Sequence, residues 1–211
     1  MEKLIDIWGR RNPEFETRYE ENIIKMFCDY GKGSTGYQES RGKLFGAGYE
    51  IYIIAFFIGL YFDKRREMNP DPNKRKGFGH QIQYWGNQES RRGRKSYGKI
   101  REYMFVALVA KSNIDFVELD KGNISKSKVV DTLIQTMEEY ANYGFFYMED
   151  KLTDNPDYFF RKSAFLDLFL NFLVEESETD DEELESLDEC NIGENIISKV
   201  PSDRRAPCCF Y

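Results

Sequence analysis

Histidine is nearly absent from this sequence of 211 residues, in which His80 is the only one. Cysteine is scarce as well, and the four cysteines, Cys28, Cys190, Cys208 and Cys209, form no C-x-x-C pair. Structural zinc sites take their Cys and His ligands from short paired spacings. The sequence therefore predicts no metal centre. Because it also lacks a dinucleotide-binding fingerprint and a P-loop, it predicts no cofactor.

Long apolar runs are missing too. The most apolar stretch, residues 47–62, spans sixteen residues and is interrupted by Glu50, whereas a membrane-spanning helix needs about 20 apolar residues. We therefore predict a buried core helix there and no membrane contact. Residues 1–6 also lack the basic and apolar stretches that begin a secretory signal. These absences predict a soluble cytoplasmic protein with free thiols.

Aromatic residues, in contrast, make up 16% of the chain and can fill a core without disulfides or metals. Apolar residues recur at steps of three and four, as they do on one face of an amphipathic helix. We predict a mainly α fold, an irregular helical bundle of about five to six helices. The predicted helices are 13–30, 47–67, 100–111, one that begins near Ser125 or Ser127 and reaches at least Asn142, and 157–174, with a shorter piece at 39–45.

The C-terminal region has a different composition. Residues 175–190 include ten acidic residues among sixteen, and such a block repels itself and cannot bury enough apolar surface to offset the entropy of ordering. We predict a globular domain at 1–174 and a disordered acidic tail at 175–211. Residues 68–98 lack apolar periodicity and are rich in Gly and Pro, which predicts a long loop insertion within the domain.

Positive charge is concentrated in residues 64–101, which hold twelve Lys and Arg against three acids, a formal charge of +9. The whole chain carries −7, so the remainder carries −16. Aromatic residues are interleaved with these cations, and rings beside cations suit a polyanion with stackable bases. The predicted nucleic-acid-binding residues are Lys64, Arg65, Arg66, Lys74, Arg75, Lys76, His80, Tyr84, Trp85, Arg91, Arg92, Arg94, Lys95, Lys99 and Arg101.

We expect a non-catalytic helical binding subunit that contacts DNA, RNA or another polyanion through this basic segment. An accessory place in a larger protein complex, such as a bacterial DNA-processing or phage-defence assembly, is a hypothesis that no motif carries, and the oligomeric state is left open. The acidic tail is a candidate intramolecular competitor for the basic segment. One alternative is that the segment only solvates a loop, its cations pairing with surface acids.

Two further alternatives belong to other classes of protein. A protein–protein interaction module without nucleic-acid contact predicts an exposed apolar patch. An enzyme would need a dispersed site in which His80 works with Glu39, Arg41 or Glu50, because a histidine that titrates near neutral pH still requires a partner for acid–base catalysis. No spacing rule links these residues, so we favour a protein that is not an enzyme.

Overall fold

The computed structural model describes residues 2–28, 44–86, 96–161 and 163–170. The chain is mainly helical, with about five substantial helices, which confirms the predicted fold class. It divides into two compact units, Met1–Lys162 and Ser163–Tyr211. The predicted division into 1–174 and 175–211 stays a prediction, since the tail lies outside the described residues.

The first unit contains six α-helices, two short strands and several tighter or wider helical turns in its described part. The helices are α1 Leu4–Gly9, α2 Lys25–Phe27, α3 Gly48–Tyr61, α4 Lys99–Lys111, α5 Phe116–Asp120 and α6 Lys126–Asp154. The strands are β1 Glu14–Glu16 and β2 Arg75–Gly77. A π-helical turn spans Glu20–Ile24, and 3-10 turns span Pro72–Lys74, Ile82–Tyr84 and Tyr158–Phe160.

The centre of the fold is the antiparallel crossing of α3 and α6. A Cβ atom at Gly144 would lie 1.9 Å from the Ala55 carbonyl oxygen, and one at Gly59 would lie 2.1 Å from the Tyr140 carbonyl oxygen. Both glycines therefore let the two backbones touch, at points one turn apart on each helix. This contact explains why α3 is apolar on nearly all sides: Ile51, Tyr52, Ala55, Phe56 and Ile58 are all fully buried.

The predicted core helix is present, but it is shorter than its sequence pattern suggested. Glu50, the one acid in the apolar run, reaches back so that its Oε2 accepts the Gly46 N–H at 2.7 Å, which stabilises the start of α3. The helix ends at Tyr61, whereas we predicted Glu67. Asp63 has a positive φ of 47°, and this left-handed residue turns residues 64–67 away from the helix axis.

The prediction of one helix over 13–30 is wrong in its first half. Residues Glu14–Glu16 form β1, which pairs antiparallel with β2 so that Phe15 lies opposite Lys76. The apolar stripe is still buried, because Phe15, Tyr19, Ile23 and Phe27 all face the core. The three-to-four spacing of these residues was read as a helix, although a strand followed by a helical turn buries the same side chains.

The loop insertion predicted at 68–98 is partly ordered and packed. Its described part contains β2 and two 3-10 turns, and Phe78, Ile82 and Trp85 are buried in the core. Residues 87–95 lie outside the described part of the chain. So do residues 29–43, which include most of the short helix predicted at 39–45.

The second half of the chain follows its sequence pattern more closely. α4 has the predicted bounds within one residue, and α6 begins after Ser125, whose hydroxyl caps it by accepting the Lys128 N–H at 3.2 Å. α6 continues to Asp154, well past the predicted minimum. Residues 155–157 do not begin a helix, and a 3-10 turn follows instead. In the second unit, residues 164–170 are helical, inside the predicted last helix.

Candidate binding surface

The described part of the predicted basic segment does not form one uniform group of charges. Arg91, Arg92, Arg94 and Lys95 lie outside the described residues, and the other cations contact several different elements of the fold. Those on β2 are paired with acids: Arg75 lies 3.7 Å from Glu14, and Lys76 lies 3.0 Å from Glu20. Such pairs cancel much of the charge that a polyanion would meet.

The electrostatics of Glu20 agree with this pairing. Burial acts to raise the pKa of its carboxyl, but the hydrogen bonds from Lys76 and Lys25 outweigh burial and lower that pKa. Glu20 is therefore ionised at neutral pH and holds two lysines. Lys74, the last residue of the 3-10 turn and the residue directly before β2, is exposed.

Two more cations of the segment, Arg65 and Arg101, bind backbone carbonyl oxygens of the protein itself. The Arg65 guanidinium donates to the Lys111 carbonyl at 2.5 Å and lies over the Tyr140 ring, 4.8 Å from its centroid. The Arg101 guanidinium donates to the carbonyl oxygens of Gly98 and Gln83. These arginines link loops to helices, while Lys99 at the start of α4 is exposed.

The ring-bearing residues predicted to contact nucleic acid, Tyr84, Trp85 and His80, also differ from one another in exposure. Trp85 is fully buried; its ring stacks on Tyr49 with centroids 5.8 Å apart, and its Nε1 donates to the His80 carbonyl at 3.1 Å. Trp85 is therefore a core residue, which corrects its assignment as a ring that contacts a ligand. Tyr84 is 56% exposed, and the His80 side chain is also exposed.

The loop that follows α3 carries Lys64 and Arg66, and its conformation is fixed by α6. The Asp63 carboxylate accepts a hydrogen bond from the Tyr140 hydroxyl at 2.9 Å and forms an ion pair with Lys111 at 2.8 Å. The Lys111 hydrogen bond, together with that from Tyr140, lowers the pKa of the Asp63 carboxyl. The Arg66 N–H donates to the Glu139 carbonyl at 3.0 Å. These bonds attach both ends of the turn to neighbouring helices.

Asn142 on α6 attaches the next part of the same loop. Its buried side-chain amide donates to the Glu67 carbonyl at 2.9 Å, to the Arg66 carbonyl at 3.3 Å and to Glu16 Oε1 at 2.9 Å. Glu16 in turn accepts the Asn69 N–H at 3.0 Å. Several backbone polar groups of the loop are thus bonded within the fold, so its side chains project from a defined backbone.

Lys64 and Arg66 project onto aromatic rings of α6. The Lys64 ammonium lies 5.9 Å from the centroid of Tyr143, and the Arg66 guanidinium lies 4.4 Å from that of Phe146. The two rings are neighbours, with centroids 6.3 Å apart and planes at 52°. Phe146 is 37% exposed and Tyr143 is partly exposed. We call these four residues the aromatic–basic surface.

The aromatic–basic surface carries two positive charges, those of Lys64 and Arg66. In the described part of the chain, neither of them has a carboxylate at ion-pair distance. Cations that lie over rings without a carboxylate partner remain available to an anion, but two of them are a small number for a surface that binds a polyanion.

A second group of cations and rings continues along α6. Lys151 lies 5.4 Å from the Tyr147 centroid and 6.0 Å from the Tyr158 centroid, and Arg161 lies 5.1 Å from Tyr158. Tyr143, Tyr147 and Lys151 are spaced four residues apart and so share one side of the helix. The sequence contained this signal, because these positions fall outside the core stripe of α6, yet the α6 rings were not among the predicted site residues.

Of the residues in the enzyme hypothesis, His80 and Glu50 lie in the described part of the chain. Glu50 is engaged in the fold: besides its bond at the start of α3, its Oε1 accepts the Tyr97 hydroxyl at 2.8 Å. Glu39 and Arg41 lie outside the described residues. Glu138 on α6 is a carboxyl with a strongly raised pKa: its Oε1 accepts the Glu14 N–H at 2.7 Å, and burial raises its pKa to about 7.

Within the described ranges, no group of three or more His, Cys, Asp and Glu side chains is arranged to hold a metal ion. None of the helices described there combines the length and the apolar character needed to cross a bilayer. The expected absence of a cofactor stays a prediction.

No protein-family model, no curated protein and no solved structure matches this chain. Its function is therefore inferred from its own residues.

Proposed function

We propose that this protein is a non-catalytic binding subunit that contacts nucleic acid at the aromatic–basic surface. One observation carries the proposal: Lys64 and Arg66 lie against Tyr143 and Phe146 and, among the described residues, not against carboxylates. Cations that face rings can still meet phosphates, and rings beside them can meet bases. The proposal keeps the first part of the predicted basic segment and leaves out Trp85, Arg75 and Lys76, which the fold already uses.

The distribution of charge along the chain gives secondary support. Residues 175–211 hold twelve acids and three bases, a net charge of −9. Because the whole chain carries −7, residues 1–174 carry +2. The globular part is thus weakly cationic when the acidic tail is set aside, and it can approach a polyanion without strong long-range repulsion.

The test is a salt series of binding measurements with a fluorescent oligonucleotide. The double variant Lys64→Gln/Arg66→Gln should weaken binding and flatten the dependence of log K on log salt concentration. Each lost phosphate contact on a single strand changes that slope by about 0.7, so the double variant should change it by about 1.4. Lys128→Gln, at an exposed position near the start of α6, removes one positive charge elsewhere and is the matched control.

Equal affinities and slopes for the wild type and the double variant would overturn the proposal, provided that circular dichroism shows both to be folded. So would a loss in Lys128→Gln that is half as large in log K as the loss in the double variant, because it would mean that only the total charge of the protein matters.

A protein–protein interaction module is favoured by a different observation. Tyr103 and Val106 on α4 are each 65% exposed, and Val117 on α5 is 62% exposed. Such side chains are common single exceptions on a surface, but neighbouring ones mark contact sites more often. Under this alternative, Val106→Glu would abolish a protein contact and leave oligonucleotide affinity unchanged, as a pull-down and an anisotropy titration on the same variant would show.

The wider setting stays a prediction from the sequence. It includes the cytoplasmic location, the larger protein complex and a role in DNA processing or antiviral defence. A measurement of nucleic-acid binding by the isolated chain is the first test of these predictions.

A further inference from the structure

We infer that the nucleic acid bound at the aromatic–basic surface is single-stranded and that its bases stack on the rings of α6. This inference rests on the proposed function and names its class of ligand. Three observations carry it: the small number of cations on the surface, the arrangement of its rings, and the fixed backbone beneath its cations.

Phosphate contacts alone can supply little affinity at this surface. Its cations are Lys64 and Arg66. Affinity for a duplex without base readout comes from the release of counterions by many phosphate contacts. A surface with two cations makes few such contacts. Substantial affinity there requires a second source of binding energy, and exposed rings provide one.

The rings can supply that energy only to unpaired bases. A duplex buries the faces of its bases in its own stack, whereas a single strand leaves them open to aromatic side chains. Stacking of one base on an aromatic ring contributes more to binding than most exposed ion pairs do. Phe146 is 37% exposed, and the planar guanidinium of Arg66 above it is itself a stacking surface.

The geometry along α6 suits an extended strand. From the aromatic–basic surface, Tyr147 and Lys151 continue the same side of the helix, and Lys151 lies between the rings of Tyr147 and Tyr158. A strand that follows this line would meet rings and cations in turn. The line is short, so we expect a site of about four nucleotides, at the lower end of the range for single-strand binding folds.

The backbone beneath the cations does not need to be ordered by the ligand. Asn142 and Glu139 on α6 bond the Arg66 and Glu67 backbone, and Asp63 is bonded by Tyr140. A loop that is ordered before binding avoids much of the entropy cost of ordering it on the ligand. A small site can therefore retain useful affinity.

The first arm of the experiment changes the ligand. Full-length protein is titrated by fluorescence anisotropy with a 12-nucleotide single strand, the same sequence as a duplex, and a single strand of equal length in which abasic sites replace the bases. We expect the single strand to bind roughly tenfold or more tightly than either other ligand, because only it offers bases for stacking.

The second arm changes the protein. Phe146→Leu and the double variant Tyr143→Leu/Phe146→Leu keep apolar side chains and remove the rings. Tyr103→Leu, at the tyrosine that is 65% exposed on α4, is the matched control. A strand that contains 2-aminopurine reports stacking directly through quenching of its fluorescence. We expect quenching with the wild type and Tyr103→Leu, and reduced quenching with Phe146→Leu.

The outcomes separate the inference from the proposed function. Equal binding of the single strand, the duplex and the abasic strand, with loss only in Lys64→Gln/Arg66→Gln, would overturn the single-strand inference and leave nucleic-acid binding standing. Binding of none of the three ligands at low salt would overturn both. If the double ring variant fails to fold, Phe146→Leu and the abasic strand still decide the question.

Discussion

Helix α6 is packed on two sides by regions of opposite character. Against α3 it is apolar and so close that a Cβ atom at Gly144 would collide with the Ala55 carbonyl. Against β1 and residues 62–69 it is polar, with Glu138 bonded to the Glu14 N–H and Asn142 bonded to Glu16. The first side depends on shape alone. The second depends on protonation state and hydrogen bonding, so it should respond to pH while the first does not.

The largest effect is expected on the apolar side. Gly144→Ala would place a Cβ atom 1.9 Å from a backbone oxygen, and relief requires α3 and α6 to move apart. We expect a loss of about 3 kcal/mol or more in the free energy of unfolding, in the upper part of the range for overpacked cores. Urea denaturation followed by circular dichroism measures it.

Gly122→Ala is the matched control for that substitution. Gly122 has a φ of 79° and nothing within 4 Å of its Cβ position, so it should lose only the roughly 1–2 kcal/mol of a left-handed alanine. An equal loss in the two variants would contradict close packing at the helix crossing.

The next effect concerns pH on the polar side. The pKa of Glu138 is raised from 4.5 to about 7 by burial, so the folded state holds this proton more tightly than the unfolded state does. Its contribution to stability is complete below about pH 4.5 and is lost as the pH rises through 7. We expect a loss of roughly 2 kcal/mol between pH 5 and pH 8, after allowance for partial exposure.

Glu138→Gln should remove this pH dependence, since the amide keeps an acceptor for the Glu14 N–H and carries no charge. Chemical denaturation at several pH values tests it, with Glu102→Gln, an exposed position on α4, as the control. A wild-type stability that is flat or rises over this range would show that Glu138 is ionised without cost.

A smaller effect is expected at Asn142. Asn142→Leu keeps the approximate size of the side chain but removes the donor to Glu16 and to the Arg66 and Glu67 carbonyls. Leaving buried acceptors without that donor should cost about 1–2 kcal/mol. Hydrogen exchange should also become faster at the backbone amides of residues 66–69 than in α3. Uniform change across both regions would mean that Asn142 supports the whole fold and not this loop.

The two sides of α6 also differ in how well the sequence predicted them. α3 and α6 were predicted because they are helices that bury apolar side chains, and apolar residues along such a helix recur at steps of three and four that can be read from the local sequence. β1 was missed because its partner β2 lies about sixty residues later in the chain, and no local pattern reports such a pairing. Three residues are too few for a strand period to stand out from a helical one.

Two of the four residues of the aromatic–basic surface were predicted from the sequence, because charge is a local property and contacts between distant residues are not. Lys64 and Arg66 were found by counting charge, which needs no structure. Tyr143 and Phe146 were not found, although they fall off the buried stripe of α6. Trp85 was misplaced because a tryptophan between glycines and polar residues gives no sign of the Tyr49 ring on which it stacks. Charge can be read from composition, but contacts between distant rings require the fold.

The glycine contacts at the crossing of α3 and α6 also restrict how the protein can respond to a ligand. Sliding one helix lengthwise by a turn would drive a side chain into a backbone where only hydrogen now fits, so lengthwise motion is blocked in both directions. Any adjustment at the aromatic–basic surface must therefore be made by rotation of its side chains, while α3 and α6 keep their positions along each other.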